Sequence, residues 1–258
     1  MKMRLIDTHS HLEWNSLNKK LDQIVQGAKE KGLVGILTAS VFLETAPVGL
    51  EIAKQYKNYI FPCVGFAPTE AAKKPATFEP FKKFVMEHQD EMVGLGEIGL
   101  DYYWIKDKEI RKDVEKKFIE LIQLGNKINK PIVIHCREAE QRVIELIEEY
   151  CTFDKVHMHC FAGPSYLIKR ALKNGWYFSI PASVVNRKPY QVLADNVPLE
   201  RMFLETDAPF QSPIKKKRNE PKNIALSVVH IANMKHTTPE NVAEKTTANA
   251  IEFYSLPL

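Results

Sequence analysis

Short apolar segments alternate with longer amphipathic segments along the whole chain. The short segments are rich in β-branched and aromatic residues, which is typical of strands. There are eight of them, at residues 4–7, 34–39, 60–65, 92–97, 131–135, 156–159, 177–180 and 202–204. Apolar residues at spacings of three, four and seven predict a helix over about 108–128, built on Ile110, Val114, Phe118, Leu121 and Ile128. Further helices are predicted over about 138–150, 223–235 and 239–254, the last beginning at Thr238 and Pro239.

This alternation is typical of βα units around a parallel sheet, which places the chain in the α/β class. Eight strands with intervening helices in 258 residues match a (β/α)8 TIM-like barrel in both count and length. An open, doubly wound sheet is the alternative. No Gly/Ser-rich linker divides the chain, so we predict a single domain over 1–258. The least regular segment, 211–221, is basic and bounded by prolines, and we expect a loop over one end of the barrel.

Composition narrows the class of protein. A content of 45% hydrophobic and 26% charged residues excludes a disordered tail protein. No apolar run approaches the ~18 residues of a membrane-spanning helix, and the first ten residues lack a signal-peptide core, so we expect a cytoplasmic protein with no membrane contact. Four cysteines without CxxC spacing indicate reduced thiols and not a disulfide framework.

The formal net charge of +4 permits an anionic substrate without requiring one. The distribution of charge is more informative, because five basic residues fall within eight positions and are opposed there by Glu220 alone. These are Lys215, Lys216, Lys217, Arg218 and Lys222. The cluster is either a phosphate-binding loop or an ordinary solvated run of charges.

Candidate metal ligands occur at the carboxyl ends of the predicted strands. Residues two apart on a strand point to the same side, so His9 and His11 would form a chelating pair. Four more imidazoles and carboxylates lie at or just beyond later strand ends, where barrel enzymes place their active sites. The complete set is His9, His11, Glu97, His135, His159 and Asp207.

Six nitrogen and oxygen ligands suffice for two divalent metal ions with positions left open for water, and Glu97 could bridge the two ions. A set of imidazoles and carboxylates without thiolate suits Mg, Mn, Zn or Fe. The alternative is that these residues are separate core or loop groups.

Six ordered motifs carry a resemblance to a known family. They are DTHSHLE at 7–13, GEIGLDYY at 96–103, PIVIHCREA at 131–139, HCFAG at 159–163, ETDAP at 205–209 and RNEP at 218–221. With these motifs the chain resembles the TatD-related deoxyribonuclease family of metal-dependent hydrolases. The resemblance implies a TIM-like barrel with a metal centre, and it puts the six candidate ligands at the family's ligand positions.

The implied activity is hydrolysis of DNA phosphodiester bonds by a metal-activated water, with single-stranded DNA or DNA ends as substrate. Asp207 would ligate a metal and take the nucleophile's proton, and Glu97 would act with it as the bridging catalytic carboxylate. Arg137, Lys215, Lys216, Lys217 and Arg218 are the candidate substrate-binding residues. Other hypotheses are a small-molecule amidohydrolase, lactonase or phosphotriesterase with the same centre, and a metal-stabilised binding protein.

Several neighbouring residues have open roles. Arg137 could contact a phosphate or pair with Glu138 or Glu140. If their strands persist, alternation turns Cys136 and Cys160 toward the helix layer. Glu205 and Asp101 could orient histidines or Arg218, and four aromatic side chains near the strand ends could stack bases or simply pack. These four are Trp14, Tyr102, Tyr103 and Trp104.

The third strand departs from the family's pattern. Where the family usually has Gly-x-His-Pro, this chain has Gly65-Phe66-Ala67-Pro68. A histidine that could touch substrate is therefore missing, and the range of substrates is open.

Overall fold

A computed structural model describes residues 3–258; residues 1 and 2 of the predicted domain lie outside it. Within that range the chain forms eight parallel strands, each paired with the next in sequence. They are β1 (Leu5–Ser10), β2 (Leu33–Ser40), β3 (Ile60–Val64), β4 (Gly94–Asp101), β5 (Ile132–Arg137), β6 (Val156–Met158), β7 (Tyr177–Pro181) and β8 (Met202–Glu205). The predicted strand count is confirmed.

The sheet closes on itself between β1 and the chain that follows β8. Ser10 and Ala208 form a parallel bridge. The Asp207 amide donates to the His9 carbonyl at 2.9 Å, and the His11 amide donates to the Ala208 carbonyl at 2.8 Å. These contacts make the fold a (β/α)8 barrel, so the alternative of an open sheet is wrong.

Helices follow the strands along the described chain. They are α1 (Asn15–Asn18), α2 (Leu21–Glu30), α3 (Ala46–Gln55), α4 (Pro68–Lys73), α5 (Phe78–His88), α6 (Lys108–Ile128), α7 (Glu140–Tyr150), α8 (Ser165–Lys173), α9 (Lys188–Asn196), α10 (Ile224–Met234) and α11 (Pro239–Tyr254). None of the helices in residues 3–258 is long and apolar enough to cross a membrane.

Capping residues explain where the two longest helices begin. The Asp107 carboxylate accepts hydrogen bonds from the amides of Glu109 and Ile110 at the start of α6. The Thr238 hydroxyl accepts from the Asn241 amide at the start of α11, as its position before Pro239 predicts. Of the apolar positions predicted to bury α6, four are buried, but Ile110 in the first turn is exposed.

The end of the chain fills the amino end of the barrel. Phe253, Tyr254 and Leu256 pack among residues from early positions in the strands, such as Ile6 and Phe203. This apolar plug leaves the carboxyl end of the barrel for polar groups.

Strands β1, β4 and β5 run three, four and two residues beyond their predicted ends, and β6 ends one residue earlier than predicted. His9, Glu97 and His135 therefore lie inside strands, whereas His159 and Asp207 lie just beyond them. Two residues after β3, the divergent Phe66 packs against Phe78 and Phe81, with ring centroids 5.5 and 5.0 Å away.

Candidate metal centre

The structure brings all six predicted ligands together at the carboxyl end of the barrel. Five of them form two clusters, and the potential ligand atoms within each cluster lie within 4.8 Å of one another. The first cluster is His9, His11 and Asp207, and the second is His9, Glu97 and His159. His135 joins the second cluster, since its Nδ1 lies 2.6 Å from Glu97 Oε1. The same-side prediction for His9 and His11 holds, because their rings meet edge to face at 4.9 Å.

Two glycines let β4 approach its neighbours closely at Glu97. A Cβ on Gly65 would lie 2.1 Å from the Glu97 nitrogen, and a Cβ on Gly99 would lie 1.9 Å from the His135 carbonyl oxygen. Gly99 also has a φ of +146°, which side-chain-bearing residues rarely adopt. The glycines therefore bring the Glu97 carboxylate and the His135 imidazole into contact.

Glu97 occupies the middle of the cluster, and its two oxygens face different imidazoles. Oε2 lies 3.3 Å from His9 Nε2 and 3.7 Å from His11 Nε2. Oε1 lies 2.6 Å from His135 Nδ1 and 3.8 Å from His159 Nε2. The Glu97 carboxylate therefore provides one oxygen to each of two sets of potential metal ligands.

Asp207 completes the set that contains His9 and His11. Its Oδ1 lies 3.2 Å from His11 Nε2 and 3.9 Å from His9 Nε2. Its Oδ2 is 3.9 Å from the Cys160 thiol. Both Asp207 and Cys160 have left-handed backbone, with φ of 56° and 44°, which is uncommon outside glycine and concentrates at functional sites.

Buried groups outside the cluster hold the histidines in place. Glu205 accepts from His159 Nδ1 at 2.9 Å and from the Cys160 amide at 2.8 Å. Asp101 Oδ2 lies 3.1 Å from His135 Nε2. The expectation that Glu205 and Asp101 orient histidines agrees with these contacts, and neither contacts Arg218. His11 Nδ1 lies 2.7 Å from the Ala39 carbonyl oxygen. Because a carbonyl oxygen can only accept a hydrogen bond, Nδ1 carries the proton and His11 Nε2 faces the centre.

Burial and charge set the protonation of the cluster. Burial and the neighbouring His159 lower the pKa of His9 to about 4, so this imidazole is neutral at pH 7. Burial acts to raise the pKa of Glu97, but His135 and His159 outweigh it and hold that pKa well below its ordinary value. Burial acts to lower the pKa of His135, but the Glu97 charge prevails and raises it to about 10.

One orphaned atom tests whether this donor set fits a cation. His9 Nε2 is buried and has no hydrogen-bond partner within residues 3–258, although a Glu97 oxygen is 3.3 Å away. A neutral imidazole and an ionised carboxylate that face each other with lone pairs are mutually repulsive unless a proton or cation lies between them. The arrangement therefore fits a divalent cation.

Cys136 and Cys160 both line the cleft above the centre. The outward orientation predicted for Cys160 depends on β6 continuing past His159, but β6 ends at Met158. Burial raises the pKa of both thiols well above the ordinary value, so they are thiols and not thiolates at neutral pH.

The cleft has a volume of about 840 Å³ and carries two unpaired cations, Arg137 and Arg187. Within the described chain, neither guanidinium has an ion-pair partner. Arg137 instead lies over the Tyr103 ring, 3.6 Å from its centroid, so the alternative of pairing with Glu138 or Glu140 is wrong. Both cations are available to an anionic ligand.

The basic loop, 211–221, is attached to the end of β8 by Asn219. This fully buried side chain donates to the Thr206 carbonyl at 2.7 Å and accepts from Asn223 Nδ2 at 2.9 Å. The backbone N–H of Asn219 donates to the Pro209 carbonyl at 3.1 Å. The loop therefore lies at the carboxyl end of the barrel, with Lys215, Lys216, Lys217 and Arg218 exposed.

We expect Asn219→Ala to lower the free energy of unfolding by about 2 kcal/mol, because the buried Thr206 carbonyl, the partly buried Gln211 carbonyl and the buried Asn223 amide lose their partner. Urea denaturation measures this. Asn233→Ala, at an exposed position on α10, is the control and should change the unfolding energy by less than about 0.5 kcal/mol. Equal stability of the two variants would show that Asn219 does not anchor the loop.

Sequence reasoning did not single out Arg187, Phe210 or Asn219 as site residues. Arg187 and Phe210 follow β7 and β8, so the strand-end rule would have included them had it been applied to every residue type. Asn219 lies within the RNEP motif, but nothing in its sequence context distinguishes a buried anchor from an exposed amide.

Comparison with known proteins agrees with this geometry. A family model described as TatD related DNase matches residues 6–255. The human protein named Deoxyribonuclease TATDN3 is 29% identical over 259 residues, which cover 97% of this chain and 94% of that protein. An uncharacterized metal-dependent hydrolase of Bacillus subtilis, YabD, is 31% identical over 258 residues, which cover 98% of this chain and 99% of that protein.

The crystal structure of YJJV, a TatD homologue from Escherichia coli, has the same fold. It matches with a TM-score of 0.90, covering 100% of both chains, at 20% identity. Since the family model matches nearly the whole chain, and relatives of similar length align from end to end, the chain belongs to the TatD-related DNase family of metal-dependent hydrolases.

Proposed function

We propose that this protein hydrolyses phosphodiester bonds of DNA at the cluster formed by His9, His11, Glu97, His135, His159 and Asp207. The observation that carries the proposal is the position of Glu97, whose two oxygens face different imidazoles. This division supports two cation positions that share one carboxylate.

The residues divide naturally between the two positions. His9, His11 and Asp207 would hold one cation, His135 and His159 the other, and Glu97 would contribute an oxygen to each. Bound there, Mg, Mn, Zn or Fe supplies Lewis acidity that acidifies a water molecule and withdraws charge from a phosphoryl oxygen.

Asp207 is the residue best placed to move a proton. Its Oδ1 faces His11, whereas Oδ2 has a single weak contact, with the Cys160 thiol, and borders the cleft. Oδ2 can therefore accept the proton of an attacking water while Oδ1 remains a ligand. Arg137 and Arg187 would bind the non-bridging oxygens of the phosphate and orient it for in-line attack.

The free cations around the cleft favour DNA over a small neutral substrate. The cleft is bordered by Arg137 and Arg187, and Arg218 borders a second groove, next to Phe210. The three lysines of the loop have no ion-pair partner in the part of the chain described. An amidohydrolase or lactonase would gain nothing from these charges, but a polyanion would. We include in the proposal a preference for single strands or ends, and a cytoplasmic location consistent with four free thiols.

The proposal is tested with protein stripped by a chelator and reloaded with one divalent metal at a time. We expect cleavage of an end-labelled single strand to return with the metal, and little turnover of a lactone or a phosphotriester. Preferential turnover of either small substrate would instead support the amidohydrolase class.

We expect replacement of Lys215, Lys216 and Lys217 by alanine to raise KM for a long oligonucleotide. Each lost phosphate contact should reduce the salt dependence of binding by roughly 0.7 in log–log slope, or about 2 for all three. Cleavage assays between low and moderate salt measure both quantities.

A matched control replaces three other lysines by alanine, namely Lys31, Lys57 and Lys155. These lysines have no ion-pair partner in the described chain, and they precede strands, so they lie at the amino end of the barrel, away from the cluster. Their replacement removes the same charge and should leave the salt slope nearly unchanged. If both triple variants behave alike, the loop is only a solvated run of charges.

A further inference from the structure

We propose that a groove beside the metal centre binds one unpaired nucleobase of the substrate, next to the phosphate that is cleaved. The groove is walled by Trp14, Phe42 and Phe210, and we call it the aromatic groove. The inference rests on the proposed function and adds a specificity determinant to it.

The aromatic groove is continuous with the cluster on the side of His11 and Asp207. Phe210 lies three residues after Asp207 and borders both the cleft and the groove. Its ring meets the His11 ring at 5.7 Å. Trp14 follows His11 by three residues, and its amide donates to the His11 carbonyl at 3.2 Å. A nucleotide whose phosphate reaches this end of the cluster would therefore have its base beside the groove.

The rings form a corner and not a closed stack. Trp14 meets Phe210 at 5.2 Å with an interplanar angle of 85°, and it meets Phe42 at 6.4 Å and 46°. Trp14 and Phe210 are 36% and 44% exposed, so they leave ring surface for a flat partner. The groove has a volume of about 740 Å³, within the ~300–1,000 Å³ range of small-ligand sites.

The polar rim of the groove suits a nucleotide better than an apolar ligand. Arg218 borders the groove, and its side chain has no ion-pair partner anywhere from residue 3 to 258. The acidic neighbour Glu220 pairs with Lys222 at 2.6 Å instead. Asn15 and Asn18 add amide groups at the edge. Aromatic faces with an adjacent free guanidinium are the combination that binds single-stranded nucleic acid.

Guanidinium groups cover two of the other aromatic candidates near the centre. Arg111 lies over the Tyr102 ring at 4.2 Å, and Arg137 covers Tyr103. Trp104 is exposed, but it borders the cleft and not the aromatic groove, and the Arg137 guanidinium lies 6.0 Å from the centroid of its ring. Stacking is therefore expected on the Trp14 side, and a base-paired nucleotide could not enter the groove without leaving its duplex.

A fluorescent base tests the proposal directly. Short single strands with one 2-aminopurine, moved stepwise along the sequence, are bound to the metal-loaded Asp207→Asn protein. We expect stacking in the aromatic groove to quench the fluorophore at one position, and Trp14→Ala in that background to relieve the quenching at that position. Tyr166→Ala, which removes an exposed ring on α8, should leave the pattern unchanged. Quenching that ignores Trp14→Ala would overturn the inference.

Kinetics separate this inference from the proposed function. We expect Trp14→Ala to lower kcat/KM for a single strand at least about 10-fold more than for methyl p-nitrophenyl phosphate, which has no base. Phe210→Leu, which keeps the bulk but removes the ring, should show the same selectivity. Equal losses on both substrates would overturn the base subsite while DNA cleavage by wild type stands. Wild-type protein that cleaves no DNA strand with any metal would overturn both proposals.

Discussion

Asp207→Asn is expected to reduce kcat on single-stranded DNA by about 10² or more, with KM changed only a few-fold. Asparagine keeps an oxygen at the position that faces His11 Nε2 but cannot accept a proton at the position of Oδ2. The loss should therefore fall on the chemical step. Steady-state kinetics on a labelled oligonucleotide, with metal content measured on the same sample, check the expectation.

Asp195→Asn serves as the matched control, since Asp195 is exposed near the end of α9 and belongs neither to the cluster nor to the lining of the cleft. It should retain wild-type kcat. An Asp207→Asn protein with normal kcat and weakened substrate binding would contradict the role of Asp207 as proton acceptor. Loss of metal together with activity would instead make ligation the main role of Asp207.

The six ligand candidates could be predicted because barrel topology converts position along a strand into position in space. His135 and His159 are 24 positions apart in sequence, yet both follow apolar strand segments, and the parallel sheet brings those ends to one rim. The prediction needed only the strand count and direction. It tolerated errors of two to four residues in where β1, β4 and β5 end.

Features that depend on local backbone could not be predicted in this way. The orientation of Cys160 changes because β6 stops at Met158 and the backbone turns left-handed, which hydrophobic patterning does not encode. The aromatic groove joins rings from three separate loops, after β1, β2 and β8. Such contacts depend on loop conformation, for which the sequence provides no periodic signal.

The negative charge of Glu97 acts on all four histidines of the cluster. Glu97 lies within 4 Å of all four histidines, at 3.3, 3.7, 2.6 and 3.8 Å. Its charge is the main cause that keeps the pKa of His135 at about 10 against the effect of burial. Removing that charge should therefore alter both the affinity for cations and the protonation of the metal-free protein.

We expect Glu97→Gln to weaken divalent-metal binding at least about 100-fold and to abolish DNA cleavage. Loss of groups that merely orient metal ligands costs ~10–100-fold in affinity, and Glu97 contributes an oxygen to each proposed position. Calorimetric titration of the stripped protein with Mn²⁺ measures the affinity. Glu140→Gln, in the same cleft but outside the cluster, is the control and should bind Mn²⁺ as wild type does.

The metal-free Glu97→Gln protein provides a second readout that does not depend on catalysis. With the carboxylate charge gone, burial is opposed mainly by Asp101, and the pKa of His135 should fall from about 10 toward its ordinary value. Proton NMR titration of the histidine resonances follows this change. A protein that remains folded, shows the lowered pKa and binds no metal would establish Glu97 as the charge that organises the centre. Unchanged Mn²⁺ affinity would remove Glu97 from the ligand set, and with it the shared carboxylate on which the two-cation proposal rests.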